Sequence, residues 1–218
     1  MQTFYVVLVV LGAMLFSYAM GSISFAVIFS KAFAHKDVRE MGSGNAGMTN
    51  VMRAIGIAPG ILTFVCDALK GFVACAAAKY IFFPTITGIW WLNPVYGAYL
   101  CGVMCILGHA FPVFFGFKGG KGIATSVGIF AVCCPPAIIA GLAAFIIGVL
   151  ITRIVSLSSL IATVTVVSGV FIAYNENYPL WPPFLMTFMV GAFVFIKHKD
   201  NIKRLAKGEE KRLTVKKK

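Results

Sequence analysis

The sequence predicts an all-α membrane protein: a polytopic helix bundle of about seven transmembrane helices, one pair of them short, with the N-terminus outside and the C-terminus inside. Three observations predict it. Of 218 residues, 60% are apolar and only 12% charged, about half the charged share of an ordinary soluble domain. Apolar runs long enough to cross a hydrocarbon core of roughly 30 Å recur along the chain. The polar residues gather in three islands, GSGNAGMTN running on to Arg53, FKGGKG at 117–122, and HKDNIKRLAKGEE at 198–210, each beside an apolar run.

The elements follow in order. The first span covers roughly 3–30; no charge precedes Lys31, so it lacks the basic start of a signal peptide, and it is too long for an h-region. Further spans are expected at roughly 55–83, 92–114, 123–151, 155–174 and 181–196, with breakers between them at Pro84, Asn93-Pro94, Asn175 to Pro179 and Pro182-Pro183. Lys31, Lys36 and Arg39 follow the first span, so the positive-inside rule puts the N-terminus outside and segment 31–54 in the cytoplasm. The loop near 84–93 has no Lys or Arg and is external, and 115–122 is cytoplasmic again. A single crossing at 123–151 would leave the basic tail outside. A turn at Cys133-Cys134-Pro135-Pro136 repairs the parity by making two short helices, each arm about 18–23 Å long at 1.5 Å per residue. The three polar islands then share the cytoplasmic face and can converge on one site. The domain division expected from polarity is an integral membrane domain over 1–196 and a basic cytoplasmic tail over 197–218.

Composition narrows the function. Net charge is +12, and ten of the 19 Lys and Arg residues lie from Lys197 onward. A basic juxtamembrane tail fits an anionic lipid surface; with no aromatic interleaving or recognisable module, no nucleic-acid partner is expected. All six cysteines (Cys66, Cys75, Cys101, Cys105, Cys133, Cys134) lie in apolar segments without a C-x-x-C pair, so no disulfide frame, metal site or cofactor is expected. No internal repeat is visible, which weakens an inverted-repeat transporter.

The islands carry the chemistry. Gly42, Gly44 and Gly47 satisfy G-x-G-x-x-G, but that fingerprint has meaning only between a strand and a helix, and here it follows a membrane span. What survives is backbone able to approach a phosphate, with Ser43, Asn45, Thr49 and Asn50 as short donors. Arg53 lies one helical turn past Thr49 and Asn50, on the same face. The competing reading is a polar interfacial turn that caps a helix. Lys118, Gly119, Gly120, Lys121 and Gly122 lead straight into an apolar helix whose first turn carries Thr125. This is no P-loop, yet a glycine-rich turn feeding a helix N-terminus is an anion site; the alternative is a flexible loop with snorkelling lysines. His198, Asn201 and Leu205 share a helical face with Arg204 beside it, suited either to gripping a phosphate or to lying on lipid as an amphipathic tail. Asp67 and Lys70 are three apart in the second span and able to pair, as a functional pair or one that fixes packing, and His109 is expected to be structural and to brace the glycine loop.

At these islands the chain resembles the PlsY family of bacterial integral-membrane acyl-phosphate:glycerol-3-phosphate acyltransferases, over almost its whole length. The family motif G-S-G-N-x-G-A-T-N-x-x-R-x-x-G is matched at 42–56 with Met48 in place of Ala, a change conservative in polarity. G-H-x-F-P-x-F-x-x-F-K-G-G-K-G is read as GHAFPVFFGFKGGKG at 108–122, and H-x-x-N-I-x-R-L-x-x-G-x-E as HKDNIKRLAKGEE. The resemblance implies seven helices in the bacterial inner membrane, an active site facing the cytoplasm, and acyl transfer from acyl phosphate to the 1-hydroxyl of glycerol 3-phosphate. It implies that the glycine loop around Gly119 and Gly120 holds the acyl phosphate, and Lys118, Lys121, Gly122 and Thr125 are the further candidates for that group. Ser43, Arg53, Lys121, His198 and Asn201 match the residues that line the polar site, and Asn45, Thr49, Asn50 and Arg204 join them as glycerol 3-phosphate candidates. Ser43, Lys121 and His198 are the catalytic candidates; Asp67, Lys70, His109 and Glu209 are the structural supports. A soluble enzyme that makes acyl phosphate is the implied metabolic partner.

The residues allow a direct reaction. Two phosphate-bearing substrates need several fixed cations, and Arg53, Lys118, Lys121 and Arg204 are available. An acyl phosphate is already activated, and its leaving phosphate would be stabilised by Lys121 and the glycine N–H groups. No cysteine is placed as a nucleophile. The proton of the attacking hydroxyl can go to His198, the best side-chain base, or to a substrate phosphate oxygen, the preferred reading, with His198 as a binder. A His-x4-Asp motif is absent, since Glu40, Phe114 and Lys203 stand five residues after the three histidines. An organophosphate transporter and a membrane scaffold are the rival readings.

Overall fold

A computed structural model of the protein describes residues 2–89, 92–173 and 181–213, and among these every regular element is helical. The connection expected from Asn175 to Pro179, Trp90 and Trp91 of the external loop, and the tail beyond Leu213 lie outside the described residues. Five stretches, Gln2–Ala34, Ile57–Thr85, Pro94–Phe115, Pro135–Thr152 and Val155–Ala173, are long and apolar enough to cross a membrane, and Ile123–Cys133 and Trp181–Lys197 are shorter apolar helices. The chain divides into two compact units, the first ending at Cys133 and the second starting at Cys134. That line falls at the Cys133-Cys134-Pro135-Pro136 turn, away from the polarity boundary at 196/197.

Unit 1 contains α1 (Gln2–Ser22), α2 (Phe25–Ala34), α3 (Met48–Ala54), α4 (Ile57–Ala77), α5 (Pro94–Ala110) and α6 (Ile123–Cys133). The first predicted span is therefore two helices. The break has a cause in the second span: the Ile23 carbonyl, at the interruption, accepts a 2.7 Å hydrogen bond from the buried Lys70 ammonium. Lys70 lies 2.7 Å from Asp67, and both side chains are about as buried as side chains get, at 1% and 2% exposure. Small residues set the crossings. Gly21 of α1 abuts the Cys105 backbone of α5, and Gly108 abuts the Tyr18 carbonyl; Gly71 of α4 abuts the Thr125 carbonyl of α6, and Gly128 abuts that of Ala68. In lipid, where apolar contact alone gives helices no reason to associate, such backbone approach is what holds them. α4 runs on through a π turn, Ala78–Phe82, and a 3₁₀ turn, Phe83–Thr85, and Phe83 fills the space over Gly97 of α5.

Unit 2 contains α7 (Pro135–Thr152), α8 (Val155–Ala173), α9 (Trp181–Lys197) and α10 (Lys199–Ala206). Pro135 and Pro136 open α7, where the missing N–H costs nothing. The arms flanking the predicted turn are unequal: α6 has 11 residues and α7 has 18, or about 16 Å and 27 Å. Only α6 falls far short of a bilayer core. α7 and α8 form a hairpin that turns at Arg153 with φ +59°. It is packed through Gly141 on Val166, Gly148 on Ser158 and Gly169 on Ala137, and α9 meets α8 where Gly191 faces Thr163 and Val167. The start of the basic tail folds back on this unit: the Leu213 N–H donates to the Arg153 carbonyl at 2.6 Å.

Candidate active site

The first two islands meet within unit 1. Residues 38–47 form a loop built around one side chain, Asn50 of α3. Its Oδ1 accepts the Ser43 N–H at 2.9 Å, and its Nδ2 faces the carbonyls of Val38, Met41 and Asn45 at 3.0, 2.9 and 3.1 Å. Gly42, at φ +61°, lies so close to this amide that a Cβ there would strike Oδ1. Ser43 is exposed at the crest, Asn45 and Thr49 are half-buried, and Arg53 is exposed at the end of α3.

The second island closes a loop over 111–118. The Gly119 N–H donates to the Ala110 carbonyl at 3.2 Å and the Gly120 N–H to that of His109 at 3.1 Å. Gly120 has no room for a side chain, since a Cβ would meet the His109 ring and the Ala46 carbonyl of the first loop. His109 thus links the glycine loop to the buried pair below, its Nδ1 standing 3.6 Å from Asp67. Lys118 is exposed, Lys121 half-buried, and Gly122, at φ +90°, opens α6. A cavity of about 450 Å³ lies between residues 37–44 on one side and 115–119 on the other. Arg39 stands in its wall and donates to the carbonyls of Phe115 at 2.5 Å and Lys118 at 3.2 Å. Its hydrogen bond to Asp37 holds that carboxyl below the ordinary carboxylate value, against the opposing effect of burial.

The third island belongs to unit 2. His198 caps α10 and is buried, with Nδ1 2.8 Å from the Val194 carbonyl. A carbonyl only accepts, so Nδ1 carries the hydrogen and Nε2 is the basic nitrogen. Asn201 Nδ2 and Arg204 Nε each donate to Glu210 at 2.6 Å, and Ser156 of α8 donates to it at 2.8 Å.

The sequence profile of the glycerol-3-phosphate acyltransferase family matches residues 11–208. This chain belongs to that family. The glycerol-3-phosphate acyltransferase of Anaeromyxobacter dehalogenans (strain 2CP-1) is 40% identical over 206 residues, covering 93% of this chain and 98% of that protein. Glycerol-3-phosphate acyltransferase 2 of Bacillus anthracis is 38% identical over 200 residues, 92% and 97% of the two chains. Two crystal structures of PlsY (YgiH), an integral membrane glycerol 3-phosphate acyltransferase, share the fold. The glycerol 3-phosphate form has a TM-score of 0.81 at 36% identity, over 94% of this chain and 96% of that one. The lysophosphatidic acid form has a TM-score of 0.78 at 35% identity, over 94% and 95%.

Within this acyltransferase the geometry bears on four readings of the sequence. Asn50 is buried and its amide is engaged with loop backbone. The Gly119 and Gly120 N–H groups donate to carbonyls of the loop's own neck. Thr125 is completely buried where α6 meets α4. The supporting glutamate is Glu210, not Glu209, whose side chain is exposed; the third motif itself ends on Glu210, so the signal was present. The link from Arg39 to the second island is not legible in the sequence because its partners, Phe115 and Lys118, are remote along the chain.

Burial alone would raise the Glu210 pKa, but the hydrogen bonds from Asn201, Ser156 and Arg204, with the Arg204 charge, outweigh it and leave the pKa lowered. A carboxylate depressed in the folded state contributes its stability in full above the unfolded value, about 4.3, and loses it as pH falls through the lower folded value. In melting curves taken from about pH 6 to pH 3, Glu210→Gln should flatten part of the acid loss seen in the wild type. Parallel pH dependences would deny Glu210 that role.

Proposed function

We propose that this acyltransferase moves a fatty acyl group from acyl phosphate to the 1-hydroxyl of sn-glycerol 3-phosphate, releasing 1-acyl-glycerol 3-phosphate and phosphate, at the cytoplasmic face of a bacterial inner membrane. The observation that supports it most is the junction in unit 1, where Gly120 presses on the Ala46 carbonyl and brings Lys121, next in the chain, to the edge of the serine-bearing loop. The named forms of the PlsY crystal structures, glycerol 3-phosphate and lysophosphatidic acid, fit one substrate and the product.

The hydroxyl oxygen attacks the acyl carbonyl carbon, the bond from that carbon to the phosphate oxygen breaks, and the hydroxyl proton passes to a phosphate oxygen. Charge on the leaving phosphate is met by Lys118, Lys121 and the first-turn N–H groups of α6, which have no intrahelical acceptor. Ser43 from the first loop and Arg53 from the end of α3 bind glycerol 3-phosphate, and by family resemblance His198 and Asn201 are phosphate ligands as well. The cysteines, all in helices or at the cap of α7, leave no thiol in either motif loop, so transfer is direct.

Purified protein in lipid, given glycerol 3-phosphate with either acyl phosphate or acyl-CoA, should form lysophosphatidate from acyl phosphate alone. Turnover with acyl-CoA would overturn the donor assignment. Folded protein inactive with both would return organophosphate transport to the front.

A further inference from the structure

We propose that Arg39, locked by Asp37, is the positioning residue that sets the glycine loop against the GSGNAG loop; the proposal rests on the acyl-transfer reading above. Asp37 takes both the main-chain N–H and the Nε of Arg39 on Oδ1, each at 3.0 Å, and Nη2 on Oδ2 at 2.8 Å. That fixes one edge of the guanidinium and aims Nη1 across at the carbonyls of Phe115 and Lys118. These carbonyls bracket Gly116 and Phe117, two successive residues in the left-handed region at φ +66° and +58°. Phe117 is a bulky side chain in a conformation it rarely adopts, and such strain persists only where surroundings over-determine it. Here the surroundings are Arg39 on both flanks and the Pro112 carbonyl, which takes the Phe117 N–H at 2.9 Å. The strained turn sets the direction in which Lys118 and the stretch to Lys121 leave it.

The clasp is geometric rather than anionic. Asp37 offsets the guanidinium charge, and the side chain is only 25% exposed. A lysine carries its three N–H donors on one nitrogen and lacks the planar fork that holds the carboxylate on one edge while reaching two carbonyls from the other, so it cannot reproduce this geometry.

The test is a kinetic set on purified protein in lipid: Arg39→Ala, Arg39→Lys, Asp37→Asn and the Arg39→Ala/Asp37→Asn pair, alongside wild type. Amide exchange is followed over 115–121 and over α4 and α5. Displacing a reacting group by about 1 Å costs about a hundredfold; Arg39→Ala is expected to lower kcat by about that much, with α4 and α5 still protected and 115–121 exchanging faster. Arg39→Lys should fail to rescue. Asp37→Asn, which keeps the arginine but releases its lock, should lower kcat in the same direction by about tenfold, and the pair should be no worse than Arg39→Ala alone.

An arginine that bound phosphate directly would behave oppositely in Asp37→Asn, with tighter substrate binding once the competing carboxylate is gone, and that result overturns the proposal. So do wild-type kinetics in Arg39→Ala, or rescue by lysine. If wild type itself shows no turnover, the acyl-transfer reading fails by itself, and exchange still decides the clasp: unchanged rates over 115–121 in Arg39→Ala sink it.

Discussion

Asp67→Ala is expected to destabilise the protein by about 3–5 kcal/mol, the cost of stranding one half of a buried ion pair. The stranded half is Lys70, whose ammonium is 2.7 Å from Asp67 and, among the described residues, keeps the Ile23 carbonyl and the face of Phe25, 5.9 Å away. The loss spreads because the pair joins three things: the break between α1 and α2, the middle of α4, and, through His109, the neck of the glycine loop. Thermal melts in detergent measure it, and the decisive variant is the double change Asp67→Ala/Lys70→Met. Replacing both charges with apolar groups is often neutral or stabilising, so the double variant should recover most of what the single one loses. A single variant that melts with wild type, or a double one that melts below the single, would mean the pair does not hold the helices. Activity reads separately: the double variant should fold yet turn over slowly, since His109 no longer has Asp67 at 3.6 Å to orient it.

Lys121→Ala should lower kcat by about 10²–10³, the usual loss when one preorganised donor to a developing anion is removed. The structure raises the weight on this lysine. With the Gly119 and Gly120 N–H groups donated to Ala110 and His109, the reaction proposed above leaves the loop's stabilisation of a leaving phosphate to Lys118, Lys121 and the start of α6. Lys118 is exposed and Lys121 half-buried, so Lys121 sits where the dielectric is lower and a charge acts more strongly. Lys118→Ala should therefore cost less. Steady-state kinetics with both substrates varied settle the order; equal losses at the two positions would return the loop to a diffuse cationic surface. Lys121→Arg should keep charge but not geometry, and recover little.

The helices and the Cys133-to-Pro136 interruption are legible in the sequence because they follow from apolar run length and proline, both local properties. The interruption at Ile23 and Ser24 is not, because its cause is a lysine 47 residues further along. The first two motif loops announce phosphate chemistry through residue type, yet type cannot say which polar groups face a ligand. Asn50 and Ser43 are both short and polar, and only their neighbours make one a scaffold and leave the other at the crest. Thr125 lies in the first turn of α6, as its spacing from Gly122 indicates, but on the face that meets α4. Glu209 and Glu210 differ by one position, and an acidic pair at a helix exit does not say which member turns back toward Ser156.

Asn50 gives the serine-bearing loop an unusual way of failing. Three carbonyls and one N–H from different parts of that loop converge on a single amide. The loop therefore has a keystone and no seam. Damage at any one strand of backbone leaves the others tied, whereas trading the amide nitrogen for oxygen, as chemical ageing of an asparagine does, turns three attractions into three repulsions at once. A preparation losing that nitrogen would not drift gradually to lower quality. It would split into two populations, one intact and one with the loop undone, and its residual activity would count the intact molecules.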